Sequence, residues 1–500
     1  MGGFVMKKCF KIFCAILLVV NVLVAKAQND GVTLTMLPHL PYTNYFNPGI
    51  RTPYNGVIGV GVSNMGYSII NSSINYKNIY VKDANGNDAI DGLKLFNSLD
   101  DFDNVINWNL SFDVLKAGFR INKLFVDIDC RMRINTEMSY SKDFVGLFVL
   151  GNGHYLGKDN PCNFSCGMDA SAYYELGMGF QYDINEHLTV GVRPKFLLGV
   201  ANVVLNNNKT KIYTDADSYA ISADIGFDVK ASSNIDMPLE RVSDIVGFID
   251  YESMQIGDFL NVKGNYGFGA DLGAAYVFNR HFGVSAAVRD LGFITWKNAK
   301  VKQCYKNDVM VNEAVFSELN QVTDVGVDYK TMLDNVIDNV WGNDTLVDGD
   351  AYKTTLKTKM MLQGYYEYNP MLRVTAIGQM CYINNKMLPA VTLAYSGSFL
   401  NCIDVTVSWM HSQYSGSTIG AGLGFHFGPV NLFAVTDNIM VLTKQAAPMI
   451  ELSTSYQAVN MRVGVVFTIG KYQGSKKMVA VKTDVIDTEA IDREKEEFDQ

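Results

Sequence analysis

Charged side chains recur at every second position along predicted strands, and this pattern is the strongest chemical signal in the sequence. Asp127, Asp129, Arg131 and Arg133 alternate with uncharged residues, so in a β-strand all four point to the same side. Equivalent positions elsewhere hold Glu175, Arg193, Asp271, Arg289 and Arg462, together with Lys195 and Asp404. Two interpretations stay open: an ion network that stiffens an interior, or a path for a polar solute. The mixed signs argue against a strongly ion-selective pore.

Motifs of catalysis and cofactor binding are absent from the sequence. It contains no Gly-x-Ser-x-Gly, no P-loop, no His-Glu-x-x-His and no dinucleotide-binding glycine triplet. His411 and His426 lie on neighbouring predicted strands and could approach each other, although hydrogen-bonded structural histidines are the simpler interpretation. We therefore predict no enzyme activity, no catalytic residue and no cofactor or metal site.

Cysteine spacing leaves one local question open. Cys162 and Cys166 share a loop-like segment with Pro161 and Gly167, so a local disulfide and two separate thiols are both possible in an oxidising compartment. A metal site there would need more ligands than the nearby His154 offers. The disulfide pattern stays open at this stage.

The strands that must position these groups show long period-two hydrophobicity. Apolar residues hold the even positions from Ala170 to Ile184, and the same alternation covers Tyr266–Phe278, Ile419–Phe427 and Val459–Ile469. A tilted strand needs roughly 9–11 residues to cross a bilayer, whereas strands of soluble sandwiches have about 5–6. The pattern predicts an all-β fold, a transmembrane antiparallel β-barrel.

Composition agrees with a barrel and excludes other classes. The chain has 43 Gly, 27 Tyr and 28 Phe but only 11 Pro, and its mean hydropathy is close to zero, as expected when every second strand residue faces a polar lumen. The net charge of −9 gives no basic footprint, so we expect no nucleic-acid partner.

The N-terminal residues 1–27 have the pattern of a cleavable signal peptide. Lys7, Lys8 and Lys11 precede the short apolar stretch Ile12–Val24, and Ala25-Lys26-Ala27 is a small-residue cleavage site. About 13 apolar residues are too few to span roughly 30 Å of hydrocarbon. We expect cleavage near Ala27 and export beyond the inner membrane.

Tight turns set the predicted strand number. Short turns belong to one side of an outer-membrane barrel and long loops to the other, and each turn joins two strands. With one strand before the first hairpin (Val57–Tyr76) and one after the last (Val459–Ile469), the pattern predicts fourteen strands. Six turns stand out: Ala117–Asn122, Asp183–His187, Asn279–His281, Asn369–Pro370, Gly397–Asn401 and Gly428–Pro429.

The remaining segments flank or cap the predicted barrel of residues 56–470. Residues 28–55 read as an inward-folded hatch or plug, and the charged residues 471–500 as a solvated periplasmic tail. Long segments between the turns read as extracellular loops. Apolar and polar residues also alternate in residues 209–230. We interpret this segment as a hairpin above the membrane; as part of the barrel wall it would change the number of strands. The long loops are Lys77–Ile106, Arg133–Met168, Leu205–Val262 and Trp296–Thr355.

Two short motifs carry a family resemblance. Asn47-Pro48-Gly49 resembles the Asn-Pro-Ala motif of FadL-type fatty-acid transporters, with Gly49 where that family has Ala, and is similar to related PorV/PorP-like barrels. Arg289–Trp296 (Arg-Asp-Leu-Gly-Phe-Ile-Thr-Trp) resembles a phrase of an uncharacterised family of Bacteroidota outer-membrane barrels, known only as a domain of unknown function. The resemblance implies a fourteen-stranded wall with an N-terminal plug, and makes Asn47 and Pro48 the candidate hatch residues.

Three functions follow as hypotheses. The leading one is uptake of small hydrophobic compounds through a plugged barrel in the outer membrane, with lipid and a hydrophobic ligand as partners. The alternative is a non-transporting scaffold for type IX secretion or surface-protein assembly, with protein partners. An outer-membrane enzyme is the third, and its best candidate residues would be His411 and His426.

Overall fold

A computed structural model gives the fold of this chain. It describes residues 31–472, apart from 62, 75–79, 83–87, 103, 235–263, 298, 312–344, 370, 384–385, 401, 413–415, 440–457 and 471. The predicted signal peptide lies outside the described residues, and so does the charged tail except for Tyr472.

The described chain forms a closed antiparallel barrel of fourteen strands, as predicted. Each strand pairs with the next, and the ring closes because the last strand pairs with the first. The first strand, β1, has two parts, Gly56–Val60 and Met65–Asn71. The others are β2 (Asn104–Ile121), β3 (Leu124–Tyr140), β4 (Cys166–Asp183), β5 (Leu188–Asn207), β6 (Tyr266–Val277), β7 (Phe282–Trp296), β8 (Lys359–Asn369), β9 (Leu372–Ile383), β10 (Lys386–Phe399), β11 (Ile403–Ser412), β12 (Gly416–Phe427), β13 (Val430–Thr436) and β14 (Ala458–Ile469).

Alternation of burial shows which side chains point inward. In β11, Asp404, Thr406 and Ser408 are buried, whereas Val407 and Trp409 are exposed. This is the reverse of a soluble sheet, because the polar face is inside and the apolar face is outside. An outward apolar face needs lipid rather than water, so the predicted inside-out pattern is a property of the folded ring.

All six predicted tight turns connect consecutive ring strands. They fall after Ile121, Asp183, Val277, Asn369, Phe399 and Phe427. Asn122, Leu400 and Gly428 adopt positive φ there, as the tightest hairpin turns require. All six turns therefore lie at one end of the ring, which we call the tight-turn end.

The first ring strand is interrupted in its middle. Between its two parts, Ser63 turns its backbone into the barrel, where its carbonyl accepts hydrogen bonds from the Val465 N–H at 3.1 Å and the Tyr42 hydroxyl at 3.1 Å. A Cβ at Gly464 would lie 2.1 Å from that carbonyl oxygen. The break thus depends on a glycine in the neighbouring strand.

A smaller sheet extends the ring at the end opposite the tight turns. Its strand Ile221–Ser233 pairs with the outer part of β5 and with Ala299–Val311, so residues 209–230 lie outside the fourteen ring strands. The chain here also forms helices α1 (Gly92–Ser98) and α2 (Lys142–Leu150) and the 3-10 helix Asn152–His154. Two short strands, Tyr80–Lys82 and Asp88–Ile90, form a separate two-stranded sheet. The other short strands are Cys162–Asn163, Lys211–Thr214, Val347–Gly349 and Tyr352–Thr355.

The long segments assigned to loops contain more strand than predicted. β3 continues to Tyr140 and therefore reaches well into the predicted loop Arg133–Met168, whereas β4, which begins at Cys166, overlaps only its last residues. Cys162 and Cys166 are separate thiols: Cys162 Sγ donates to the Asp143 carbonyl at 3.6 Å, and Cys166 Sγ accepts from Asn207 at 3.8 Å. The structure therefore has no local disulfide at this pair.

The N-terminal segment from Gly31 to Asn55 lies inside the ring. It contains two 3-10 helices, Val32–Met36 and Thr43–Tyr45, and most of its residues are buried. Its groups bond to strands far apart around the ring: Thr33 to Ser408 on β11, and Thr52 to Gln181 on β4. We call residues 31–55 the inner segment.

Within the part of the chain that the structure describes, none of the helices combines the length and the hydropathy of a membrane span.

Candidate functional site

Asn47, Pro48 and Gly49 press against bare backbone of the barrel wall. The Gly49 N–H donates to Asn47 Oδ1 at 2.8 Å, which closes a tight turn. A Cβ at wall residue Gly273 would lie 2.0 Å from Asn47 Oδ1, and one at Gly191 would lie 2.0 Å from the Pro48 carbonyl oxygen. Both distances are far below contact, so two wall glycines form the seat of this motif.

Glycine at position 49 has a local physical reason. A Cβ there would lie 2.5 Å from the backbone nitrogen and Cα of Ala274. The alanine of the Asn-Pro-Ala motif would therefore displace the inner segment from the wall in this protein. Gln181 adds a side-chain anchor, because its Nε2 donates to the Pro48 carbonyl at 2.9 Å.

Arg193 joins two of the predicted carboxylates. It is almost fully buried on β5 and pairs with both Asp127 and Asp129 of β3, the latter at 2.5 Å. Asn44 of the inner segment donates to Asp127 Oδ2 at 2.6 Å. The wall network and the inner segment are thus one connected hydrogen-bonded structure.

The Tyr45 ring is the centre of the inner segment's contact with wall cations. Arg131 lies 3.7 Å, Lys116 3.8 Å and Arg193 4.7 Å from its centroid. Burial raises the pKa of the Tyr45 hydroxyl well above its usual value, and the nearby Asp113 carboxylate adds to the rise. The ring stays neutral and its π-face attracts the cations.

A second ion cluster surrounds Lys195. Its Nζ lies 2.7 Å from Asp290, 2.8 Å from Asp271 and 3.4 Å from Glu175. Arg133 bonds Glu175 and Asp290 from the other side, both at 2.9 Å. Every member is mostly or fully buried, so each charge depends on its partners.

A β-bulge brings Asp290 into this cluster. The pairing of β6 with β7 shifts between Ala270 and Leu272, so Asp271 faces two residues of β7. Asp290 has a φ of +57°, and its N–H donates to Asp271 Oδ1 at 2.7 Å. Adjacent Arg289 and Asp290 therefore both point inward, which strict alternation forbids.

Arg289 and Arg462 hold different parts of the interior. Arg289 donates to the Tyr45 carbonyl at 3.2 Å and lies 4.9 Å from the Phe46 ring centroid. Arg462 on β14 donates to Asn64 Oδ1 at 3.2 Å, beside the break in β1. The structure thus places every predicted network residue inside the ring, but divides them among separate clusters.

Two cavities flank the inner segment. One of about 60 Å³ borders Tyr45 and Phe46 and is lined by charged groups that include Arg133 and Lys195. The other, of about 120 Å³, lies toward the tight-turn end and is lined partly by Leu37, Pro38, Leu40, Ile50 and Val277. The inner segment lies between a charged cavity and a more apolar one.

The proposed approach of His411 to His426 is wrong. His411 pairs in register with Ser417, whereas His426 lies at the other end of that hairpin, opposite Asn431. The neighbours of His426 are Asp404 and His39. Sequence patterns could not predict this contact because His39 precedes Asp404 by 365 residues.

A model of a family of unknown function, DUF5723, matches residues 48–437. The chain belongs to this family. The match confirms the predicted membership of a family of unknown function, and it spans the Arg289–Trp296 phrase. No curated protein matches the sequence.

Several β-barrels of known structure resemble this DUF5723 protein in the path of the backbone. The Pseudomonas putida toluene transporter TodX matches with a TM-score of 0.41 and 8% identity, covering 89% of this chain and 98% of that one. A Pseudomonas aeruginosa FadL homologue matches at 0.40 and 9%, covering 89% and 99%. The translocator domain of the Neisseria meningitidis autotransporter NalP reaches 0.29 and 7%, covering 82% and 89%. Such values speak at most to the fold, so the barrel assignment rests on the strand pairing.

Proposed function

We propose that this DUF5723 protein is an outer-membrane barrel that takes up small hydrophobic compounds through a plugged lumen. The observation that carries the proposal is the inner segment, which lies across the ring and separates two cavities. In this proposal the segment is a hatch, and uptake requires its displacement.

The location in the outer membrane follows from the surface of the ring. Outward positions of the strands carry large apolar side chains, among them Phe268, Leu362 and Phe467. The predicted signal peptide supplies the export step. Both features support an outer-membrane location, and neither fits a protein that folds in the cytoplasm.

The chemistry of the ligand follows from the cavity beside the hatch. The cavity toward the tight-turn end is small, and beside the polar side chains of Arg51 and Arg373 it has an apolar wall that would suit a compact apolar compound. The charged cavity on the other side is already saturated with internal ion pairs. We therefore expect selection for small uncharged compounds.

A reversible lock on the inner segment tests the proposal. Thr33 Oγ1 and Ser408 Oγ lie 2.8 Å apart, both buried, so Thr33→Cys combined with Ser408→Cys places two sulfurs within reach of a disulfide of about 2.05 Å. Uptake of radiolabelled toluene into proteoliposomes should stop in the oxidised protein and return after reduction. Each single cysteine variant, treated identically, is the control.

Equal uptake by the locked and reduced proteins would contradict the hatch. A second measurement removes the segment: deletion of residues 28–55 should raise permeability in liposome swelling, provided the variant still shows the mobility of a folded barrel on unheated gels. An unchanged swelling rate in a folded deletion variant would also refute it.

A second candidate function is a scaffold for secretion or surface-protein assembly. The observation that favours it is the extra sheet beyond the ring, where Tyr305 and Met310 are exposed on the strand Ala299–Val311. Crosslinking in intact outer membranes followed by purification in mild detergent tests it. Recovery of the barrel without any crosslinked protein would weaken this function and leave transport.

A further inference from the structure

Three potential metal ligands from distant parts of the chain meet at the tight-turn end of the barrel. His39 belongs to the inner segment, Asp404 to β11 and His426 to β12. His39 Nδ1 lies 2.9 Å from Asp404 Oδ1, and His426 Nε2 lies 2.9 Å from Asp404 Oδ2. One ligand atom from each residue lies within 4.8 Å of the other two. The carboxylate is fully buried, and the side chains of His39 and His426 are 14% and 9% exposed.

Hydrogen bonds around His426 fix which ring nitrogen carries a proton. Asn431 Nδ2 donates to the Pro429 carbonyl at 3.4 Å and to Thr468 Oγ1 at 2.9 Å. The amide oxygen of Asn431 therefore faces His426, at 2.6 Å from Nδ1. Because that oxygen only accepts, Nδ1 bears the hydrogen, and in the neutral ring Nε2 has a free lone pair.

That lone pair lies against a carboxylate without a hydrogen bond between them. His426 Nε2 is buried, and its contact with Asp404 Oδ2 has the wrong direction for an N–H···O bond. Two lone pairs at this distance repel unless a proton or a metal ion lies between them. Asp404 Oδ2 is meanwhile held by the His39 backbone N–H at 2.9 Å, so the carboxylate cannot turn away.

We propose that His39, Asp404 and His426 bind Zn²⁺, with water completing the coordination. Two imidazoles and one carboxylate form a ligand set that zinc uses in proteins, with bonds of about 2.0–2.2 Å. Ligand atoms of a tetrahedral site with such bonds lie about 3.3 Å apart. The two 2.9 Å contacts go to different oxygens of Asp404, and the three ligand atoms lie within 4.8 Å of one another, so binding requires the short contacts to lengthen and the widest pair to draw together. The hydrogen bond that His426 Nδ1 donates to Asn431 Oδ1 is the kind that orients a metal-binding histidine.

The site joins the inner segment to the wall. Two ligands belong to ring strands and one to the inner segment, so bound zinc ties residue 39 to the ring next to the tight turns. Tyr472, after the last ring strand, packs on the His39 ring with centroids 3.9 Å apart, and its hydroxyl donates to the Pro38 carbonyl at 3.2 Å. Zinc at this position would hold the inner segment against the wall, and this role does not depend on what the barrel transports.

Zinc binding to the purified, full-length protein tests the site directly. An untagged protein is stripped with chelator in detergent micelles, and zinc is titrated by calorimetry and counted by elemental analysis. We expect one zinc per chain. Asp404→Asn and His426→Ala should each lose more affinity than the about 10–100-fold expected for Asn431→Ala, which removes only a hydrogen-bond partner of a ligand. Asn431→Asp keeps the acceptor and should restore binding.

His411→Ala is the matched control, since His411 lies in the same hairpin but at its opposite end. It should leave zinc binding unchanged. The absence of stoichiometric zinc, or equal binding by wild type, Asp404→Asn and His426→Ala, overturns the proposal. So does a nitrogen NMR spectrum in which both ring nitrogens of His426 are protonated in zinc-saturated protein. Toluene uptake does not enter these readouts, so the zinc site and the transport function fail separately.

Discussion

Replacement of Lys195 by Met removes the ammonium group that three buried carboxylates share. Lys195 Nζ contacts Glu175, Asp271 and Asp290, and Arg133 contacts two of these carboxylates. Among the groups in direct contact two cations face three anions, so the substitution leaves Arg133 as the single cation that contacts these carboxylates. Met has nearly the same length, so the change removes charge with little change in packing volume.

The expected loss of stability is large for one substitution. Removal of one partner of a buried ion pair costs about 3–5 kcal/mol, because the remaining charge stays buried without compensation. The loss applies to the free energy of unfolding, measured by urea titration of tryptophan fluorescence in lipid vesicles with gel mobility as a second probe. The control Lys230→Met changes an exposed position on the strand Ile221–Ser233, outside the ring. Its free energy of unfolding should stay within about 0.5 kcal/mol of wild type.

A double substitution separates charge from packing. Lys195→Met combined with Asp271→Asn restores the balance of charge in the cluster, so it should be less destabilised than the sum of the single variants by about 0.5–3 kcal/mol. A single Lys195→Met variant within about 1 kcal/mol of wild type, the range of surface pairs, would refute the view that the network is sealed from water.

Two further predictions concern the wall and the thiols. Gly273→Val should loosen the inner segment, because even a Cβ at this position would lie 2.0 Å from Asn47 Oδ1. The control Gly378→Val should not, because nothing lies within 4 Å of its Cβ position. Protease cleavage before Asn55 measures the loosening, and equal cleavage of both variants would contradict the prediction. Cys162 and Cys166 should both be alkylated after denaturation without reductant, because they are separate thiols. In the folded protein Cys162 should resist alkylation, since burial and the Asp143 carboxylate raise the pKa of its thiol. Mass spectrometry of the peptide that contains Cys162 and Cys166 tests both predictions. A peptide mass lower by two hydrogens would reveal a disulfide.

The sequence alone determined the architecture of the ring. Period-two hydrophobicity and turn residues are local properties, and they were sufficient to predict the six tight turns and the fourteen strands. The same periodicity placed Asp127, Glu175 and Arg193 on the inner side. Local pattern also failed where it was broken: the bulge opposite Asp271 turns Asp290 inward, and no periodic rule announces a bulge.

Which inward groups meet depends on the closed ring and not on the local sequence. The partners of a lumen residue depend on barrel closure and on the path of the inner segment, and both bring together residues that are hundreds of positions apart. In the sequence, Gly273 and Gly191 are ordinary small residues of the wall. In the structure they contact Asn47 and Pro48. The contact between His426 and His39 likewise forms only because the inner segment crosses the closed ring. Sequence periodicity specifies the face of a strand, whereas contact across a lumen is specified by the closed ring and the chain folded inside it.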